Sequence, residues 1–199
     1  MNEHWRGLYK KKREVGEDAK TETLRSLCGL PGSGKTTLAR RLAPALNLPL
    51  IDKDEILERL FESKGVGDAT WHRTLSRESD VIFQRQAASS NGTVLVSLWR
   101  LAGMAAGSGT PTAWLWDISN TVIANVQCTC QPELAAARFI QRKRHSGHLD
   151  SGASYGDVLA RLRELSRLGS LGIEPRIDID TSQDSSLGDI ICEYALHSV

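Results

Sequence analysis

The sequence predicts an α/β fold whose parallel sheet is covered on both faces, and three observations predict it. Short runs of β-formers alternate with amphipathic helical stretches along the chain. One run, Thr93-Val94-Leu95-Val96-Ser97-Leu98, is almost continuously β-forming, the pattern of a central parallel strand. A glycine-rich turn, starting at Gly29, joins the first strand to the first helix. The composition allows such a fold. With 199 residues, 40% hydrophobic and 25% charged, the chain can bury one sizeable core and is not globally disordered.

Residues 1–22 are polar, with Lys10-Lys11-Lys12-Arg13 as their dense basic run. They read as a tail, either frayed or touching a phosphate or partner, ahead of one domain over 23–199. Residues 23–28 read as the first strand, with Leu24 and Cys28 on one face. Arg25 is awkward in a doubly buried strand and suggests a start as late as Ser26. A helix follows over 35–46, with Leu38, Leu42 and Ala45 inward and a kink expected at Pro44. Pro49 holds Leu48 extended, so 48–51 reads as a short strand ending at Asp52.

The next helices are expected over 54–61 and 69–88, the second with Leu75, Ile82 and Phe83 inward. Asn91-Gly92 then turns the chain into the central strand over 93–98. Residues 103–109 are a small-residue loop, and 111–120 begins a helix with Thr110 as cap and Pro111 at its first position. A strand over 122–130 leads into a helix opened by Pro132-Glu133, with Leu134, Ala137, Phe139 and Ile140 as its apolar residues. Further on come a basic stretch over 142–152, a helix over 155–168, a last strand over 176–180 and a closing helix over 187–196.

Gly29-Leu30-Pro31-Gly32-Ser33-Gly34-Lys35-Thr36 fits G-x-x-x-x-G-K-[ST] at every fixed position, between a strand and a helix as that motif requires. Its glycines let backbone amides converge on anionic oxygens, and the helix start adds partial positive charge. Lys35 is expected to reach the β- and γ-phosphates, and the Thr36 hydroxyl to take one Mg²⁺ position. Gly29, Pro31, Gly32, Ser33, Gly34, Lys35, Thr36 and Thr37 are therefore the candidate nucleotide-binding residues, with ATP and Mg²⁺ as the expected ligands.

Asp52 and Asp54 follow the second strand, at the carboxyl end where open α/β folds bind ligands. One carboxylate can face Mg²⁺ or its water and the other an acceptor hydroxyl. The structural alternative is that Asp54 caps a helix and Asp52 is a solvated turn residue. The third strand ends in Ser97, Trp99 and Arg100, where a second nucleotide motif would place Asp. Ser97 brings no charge, so the metal falls to Asp52 with Thr36, and Asp54 is left to orient the acceptor. Arg100 reads either as an acceptor contact or as a solvated arginine, and the tryptophans read mostly as packing residues, with Trp71 and Trp99 in regions that could instead line an acceptor pocket.

Arg138, Arg142, Lys143, Arg144, His145 and His148 gather after the fourth strand. Phosphoryl transfer needs positive charge over the phosphate oxygens and exclusion of water, which an arginine-bearing lid supplies. Arg138 and Arg142 are one helical turn apart and read as a catalytic pair on a mobile lid over about 138–152, with glycines at 147 and 152. Cys128-Thr129-Cys130 has the wrong spacing for structural zinc with His145 and His148, so the cysteines read as buried small hydrophobes.

Taken in order, these motifs resemble the small P-loop kinases of the nucleoside, shikimate and gluconate kinase type. They belong to a broad AAA-domain family that also holds chloramphenicol phosphotransferase-like and zeta-toxin-like kinases. The resemblance spans about 24–197 and rests on residues 29–37, Ile51-Asp52-Lys53-Asp54, the helix from Pro132 to Arg142, and Asp178-Ile179-Asp180-Thr181-Ser182. It implies a three-layer α/β/α fold with a five-stranded parallel sheet in the order 2-3-1-4-5. It also implies that Asp52 and Asp54 handle Mg²⁺ and the acceptor hydroxyl, that Arg138 and Arg142 lie near the transferred phosphate, and that Thr181 sits in a loop bordering adenine. Ser97 departs from the family, several members of which have Asp there.

The expected activity is ATP-dependent phosphoryl transfer to a hydroxyl of a small molecule. Alternatives are a nucleoside or nucleotide kinase, a nucleotide-sugar kinase of the toxin type, and a non-catalytic nucleotide-binding regulator. Lys plus Arg number 25 against 24 Asp plus Glu, which gives no support to nucleic-acid binding. No run approaches the roughly eighteen apolar residues of a membrane span. The charged start lacks a secretory leader's apolar core, and four cysteines make no disulfide scaffold, so a cytoplasmic setting is expected.

Overall fold

β3 (Thr93–Val96) is buried at every residue because it lies between two other strands and is covered on both faces. In the computed structural model, which describes residues 22–118, 121–150 and 152–183, it pairs with β1 (Glu22–Gly29) and β2 (Leu50–Asp52). β4 (Thr121–Thr129) and β5 (Arg176–Asp180) complete a parallel sheet in the order β2-β3-β1-β4-β5, the order implied by the kinase resemblance. The helices are α1 (Lys35–Ala45), α2 (Lys53–Lys64), α3 (Ala69–Ala88), α4 (Pro132–Gln141) and α5 (Tyr155–Ser166).

The period-two alternation of the strands divides the core into two layers. Leu27, Val94, Val96, Val126, Ile177 and Ile179 face Leu38, Ala39, Leu42 and Ala43 of α1. Leu24, Cys28, Leu95 and Ile123 pack in the other layer with Ile56 of α2, Phe83 and Ala87 of α3, Trp99 and Leu115. Beside the phosphate loop, α4 and α5 pack on each other through Ala135, Ala136, Val158 and Leu162.

Local expectations are corrected where tertiary pairing decides. Arg25 does not delay the first strand, since β4 pairs with β1 from Glu22 through Gly29. Ala45 is exposed and Ala43 takes its place in the buried stripe of α1. The helix expected over 111–120 is only a 3-10 turn at Ala113–Asp117. Thr110 does not cap it. Its N–H donates to the Leu98 carbonyl and its own carbonyl accepts from Arg100 N–H, so this stretch extends the chain beside Trp99. The basic tail with Lys10–Arg13 and the closing helix at 187–196 lie outside the described residues. Among those residues no helix is long and apolar enough to cross a membrane.

Trp99 belongs to the core and not to a ligand pocket. It is 1% exposed, its Nε1–H donates to the Leu27 carbonyl at 2.8 Å, and its ring meets those of Phe83 and Trp114. Trp71 is likewise outside the cleft, closing the turn before α3 by donating to the Gly65 carbonyl. Trp99→Phe keeps most of the packing but removes that donor, and a loss of about 1–2 kcal/mol is expected. Trp99→Ala is expected to cost about 3–5 kcal/mol. Urea unfolding followed by circular dichroism measures both, and equal losses for the two variants would show that the indole N–H, not the ring, dominates.

Candidate active site

The turn after β1 is built for close approach. Gly29 and Gly32 have positive φ, and a Cβ on either would lie 2.5 Å from the Cys128 carbonyl oxygen or 2.2 Å from that of Ala135. α4 is thus pressed against the loop, and no other residue type fits there. Lys35 is buried, its Nζ donating to the Gly29 and Leu30 carbonyls at 2.9 and 2.8 Å, and burial lowers its pKa. The Thr181 hydroxyl, just past β5, lies 2.6 Å from the Ser33 carbonyl and 2.9 Å from that of Thr129, tying the loop to the sheet end. Ser33 Oγ is buried with no hydrogen-bond partner among the described residues.

Asp52 and Asp54 occupy opposite environments one residue apart. Asp52, not Asp54, caps α2: its Oδ1 accepts from Asp54 N–H at 2.9 Å, and its Oδ2 accepts from the Thr36 hydroxyl at 3.0 Å. Burial, then the charge of Asp54, pushes Asp52 up to about 6. Asp54 is half-exposed and ion-paired with Arg144 at 2.6 Å. Desolvation pulls its pKa upward, but Arg144, His148, Arg142 and Lys35 together hold it below the usual carboxylate value. Ser97, just beyond β3, lies at the cleft with its hydroxyl 2.5 Å from Thr110 Oγ1.

Arg138 and Arg142 keep their one-turn spacing, since Arg142 N–H still donates to the Arg138 carbonyl at 3.2 Å where α4 ends, but their side chains take different partners. Arg138 donates to the Thr181 and Ser182 carbonyls at 2.8 and 3.2 Å. Arg142 instead lies over the Phe139 ring, 4.3 Å from its centroid.

Beyond it, Arg144 bridges Asp54 and Asp150, the latter at 2.5 Å, and His148 Nε2 sits 2.8 Å from Glu58 Oε1. His145 stacks on Phe61 of α2, and a Cβ on Gly147 would lie 2.4 Å from that ring. Residues 144–148 are therefore seated on α2. Gly147 serves this contact, whereas Gly152, at φ 93°, makes the following turn.

These elements enclose a cleft of about 730 Å³ that takes in Gly32, Gly34, Lys35, Thr36, Asp52 and Asp54, together with Arg138, Arg142 and Arg144. Arg100 is turned away, holding the Ser108 and Gly109 carbonyls. Cys128 is buried in the sheet with its thiol pushed up to about 12, apart from the histidines on Phe61. The sequence did not single out Glu58, Asp150 or the buried Lys53, whose Nζ lies 2.7 Å from Asp80. Glu58 had a visible signal, since it stands one helical turn from Asp54. The contact between Arg144 and Asp54 spans 90 residues and had none.

Residues 24–164 match the family described as AAA domain. Over 69 residues the chain is 42% identical to the shikimate kinase of Corynebacterium glutamicum, a match covering 34% of this chain and 41% of that enzyme, under two thirds of its length. A cytidylate kinase of Pyrobaculum arsenaticum is 28% identical over 174 residues, 87% of this chain and 85% of that one. Among solved structures, a kinase candidate from Chloroflexus aurantiacus superposes with a TM-score of 0.76 at 24% identity, covering 90% of this chain and 100% of the other. That structural likeness speaks for the fold.

The raised pKa of Asp52 has a direct consequence for stability. The folded chain holds this proton more tightly than the unfolded chain, whose value is near 3.8. The stabilisation is fully present below that value and is lost as pH rises through about 6. In metal-free buffer the loss from this one group is expected to reach about 3 kcal/mol. Asp52→Asn should abolish that part of the pH slope and, at pH near 8, be at least as stable as wild type. Urea titrations near pH 4 and pH 8 check it, since most of the loss falls between them; an unchanged slope in the variant would contradict the buried carboxyl.

Proposed function

The chain belongs to the AAA-domain family of small P-loop kinases, and from that premise we propose that it transfers the γ-phosphoryl group of ATP to a hydroxyl of a small molecule. One observation carries this: a single cleft joins a complete phosphate loop to a half-exposed, low-pKa carboxylate, Asp54. A loop for phosphates alone would serve a switch; a carboxylate aimed into the same cleft serves an acceptor.

Gly32, Gly34 and the start of α1 bring backbone N–H groups to the phosphates, and Lys35 turns from its loop carbonyls to the β- and γ-oxygens. Pro31 and Thr37 border the same opening, and Ser33, buried behind it, holds the Thr181 hydroxyl through its carbonyl. The Thr36 hydroxyl and the Asp52 carboxylate are hard oxygen donors side by side, a set that fits Mg²⁺. Mg²⁺ held there would neutralise charge on the phosphate oxygens. Asp52 serves it only when ionised, hence above its pKa of about 6.

Asp54 accepts the hydrogen bond of the acceptor hydroxyl and turns its oxygen toward the γ-phosphorus. Its depressed pKa makes it a weak base, which suffices for a loose transition state where the proton leaves late. Arg142, on the Phe139 ring within electrostatic reach of Lys35, supplies charge to the transferred group. Arg138 holds the Thr181–Ser182 loop that borders the adenine, and so positions the nucleotide. The seat of residues 144–148 on α2 keeps water from the reacting oxygens. The similarity to a cytidylate kinase over most of both chains favours, as a second reading, a nucleoside acceptor at its hydroxyl or a nucleotide acceptor at its phosphate.

An acceptor library followed by ADP release, with product mass as confirmation, tests the proposal. A new phosphoester with one compound class is expected. Equal slow ADP release with every compound and no phosphoester would leave a regulatory nucleotide-binding protein as the better account. With an acceptor found, Lys35→Met should lose at least about a hundredfold in turnover. Arg142→Lys keeps charge but not the planar fork, so roughly a tenfold loss in single-turnover rate is expected with nucleotide affinity changed much less. Wild-type rates in Arg142→Lys would place that residue outside the transfer step.

A further inference from the structure

We infer that the acceptor is a hydroxyl compound carrying no anionic group, so that carboxylated and phosphorylated acceptors are disfavoured; this rests on the kinase reading above. Sites that take a carboxylate or phosphate present an arginine fork or a lysine with donors to spare. The wall facing away from the phosphate loop does not. Arg144 spends Nη2 on Asp54 and Nη1 on Asp150. Lys53 lies against Asp80, with Ser76 at 3.4 Å, and His148 lies against Glu58.

These pairs are not surface contacts that an incoming anion exchanges freely. The Lys53 side chain is 11% exposed and that of Arg144 18%. Pulling either cation to a ligand would strand a partly buried carboxylate. Even with His148 counted as a cation, Lys53, Arg144 and His148 face the four carboxylates Asp54, Glu58, Asp80 and Asp150. His72, on the same wall, has its pKa lowered by burial and by the cations around it, so it adds no charge at neutral pH. An anionic acceptor would meet like charge here, whereas hydroxyls and amines would find acceptor oxygens.

The cations that remain are otherwise placed. Arg138 is held by Thr181 and Ser182, and Arg142 lies over the Phe139 ring, 4.0 Å from the Asp150 carboxylate that also pairs with Arg144. Lys143 and Arg161 line the cleft as exposed side chains, where salt screens them.

Matched acceptor pairs test this on the full chain with ATP and Mg²⁺: shikimate against its methyl ester, gluconate against glucose, and CMP against cytidine. Product is identified by mass, and the ADP-loaded protein is titrated with each compound by calorimetry. The uncharged member is expected to exceed its anionic partner at least tenfold in kcat/KM or in affinity. Asp150→Asn, which frees one Arg144 donor, and Glu58→Gln, which frees His148, are each expected to raise affinity for the anionic members over wild type. Preferred phosphorylation of an anionic member overturns the inference and leaves the kinase intact. Tight anion binding by wild type, unchanged in both variants, also overturns it. Absence of any phosphorylated product from these pairs and from the wider library would remove the kinase reading and this inference with it.

Discussion

One buried carboxylate ties together the two helices that make the cleft. Asp52 uses one oxygen to cap α2 and the other to receive the hydroxyl of Thr36 in the first turn of α1. The helix that follows the phosphate loop and the helix that carries Asp54 are therefore set relative to each other by the residue proposed above as the anionic ligand of Mg²⁺. The site costs stability for this. A carboxyl with a pKa near 6 is held where its charged form is disfavoured. Binding of a divalent cation would relieve that penalty, which links occupation of the site to stability of the fold.

The phosphate loop is held as tightly from its other side. Gly29 lies against β4 and Gly32 against α4, at distances that leave no room for a methyl group. Thr181 closes the arrangement by holding the loop to the end of the sheet. Arg138 then fixes the Thr181–Ser182 turn from α4. The loop is thus over-determined by its surroundings, which is what pre-organised phosphate binding requires.

Charge in the cleft is divided between two walls. Lys35, Arg138 and Arg142 stand toward the phosphate loop, Arg142 4.0 Å from Asp150, and the cations on the side of α2 and α3 are matched by Asp54, Glu58, Asp80 and Asp150. Seating residues 144–148 on Phe61 completes the second wall and brings Arg144 onto Asp54. That contact keeps Asp54 ionised while Asp52, one residue from it, is pushed the other way. Neighbouring carboxylates with opposed environments are suited to different tasks.

What the sequence by itself determined is what local spacing controls. The strand–loop–helix about Lys35 is visible because each glycine answers to a backbone need within the motif. The helix over 69–88 and the strand over 176–180 match their expected limits, since their stops are local turn and cap residues. The pair Asp52 and Asp54 was legible from its place after a strand. Which of them caps α2 was not, because Asp54 begins that helix inside its first turn and the partner of Asp52, Thr36, lies in another helix. Trp99 belongs to the core for a similar reason: its indole meets Leu27, across the sheet and 72 residues away. The helical spacing of Arg138 and Arg142 was legible and is kept, but what each side chain touches was not, since Thr181 lies 43 residues from Arg138. Only the tertiary structure decided that Arg144 meets Asp54, since no propensity or period relates residues 90 apart; packing against Phe61 and pairing of charge bring them together.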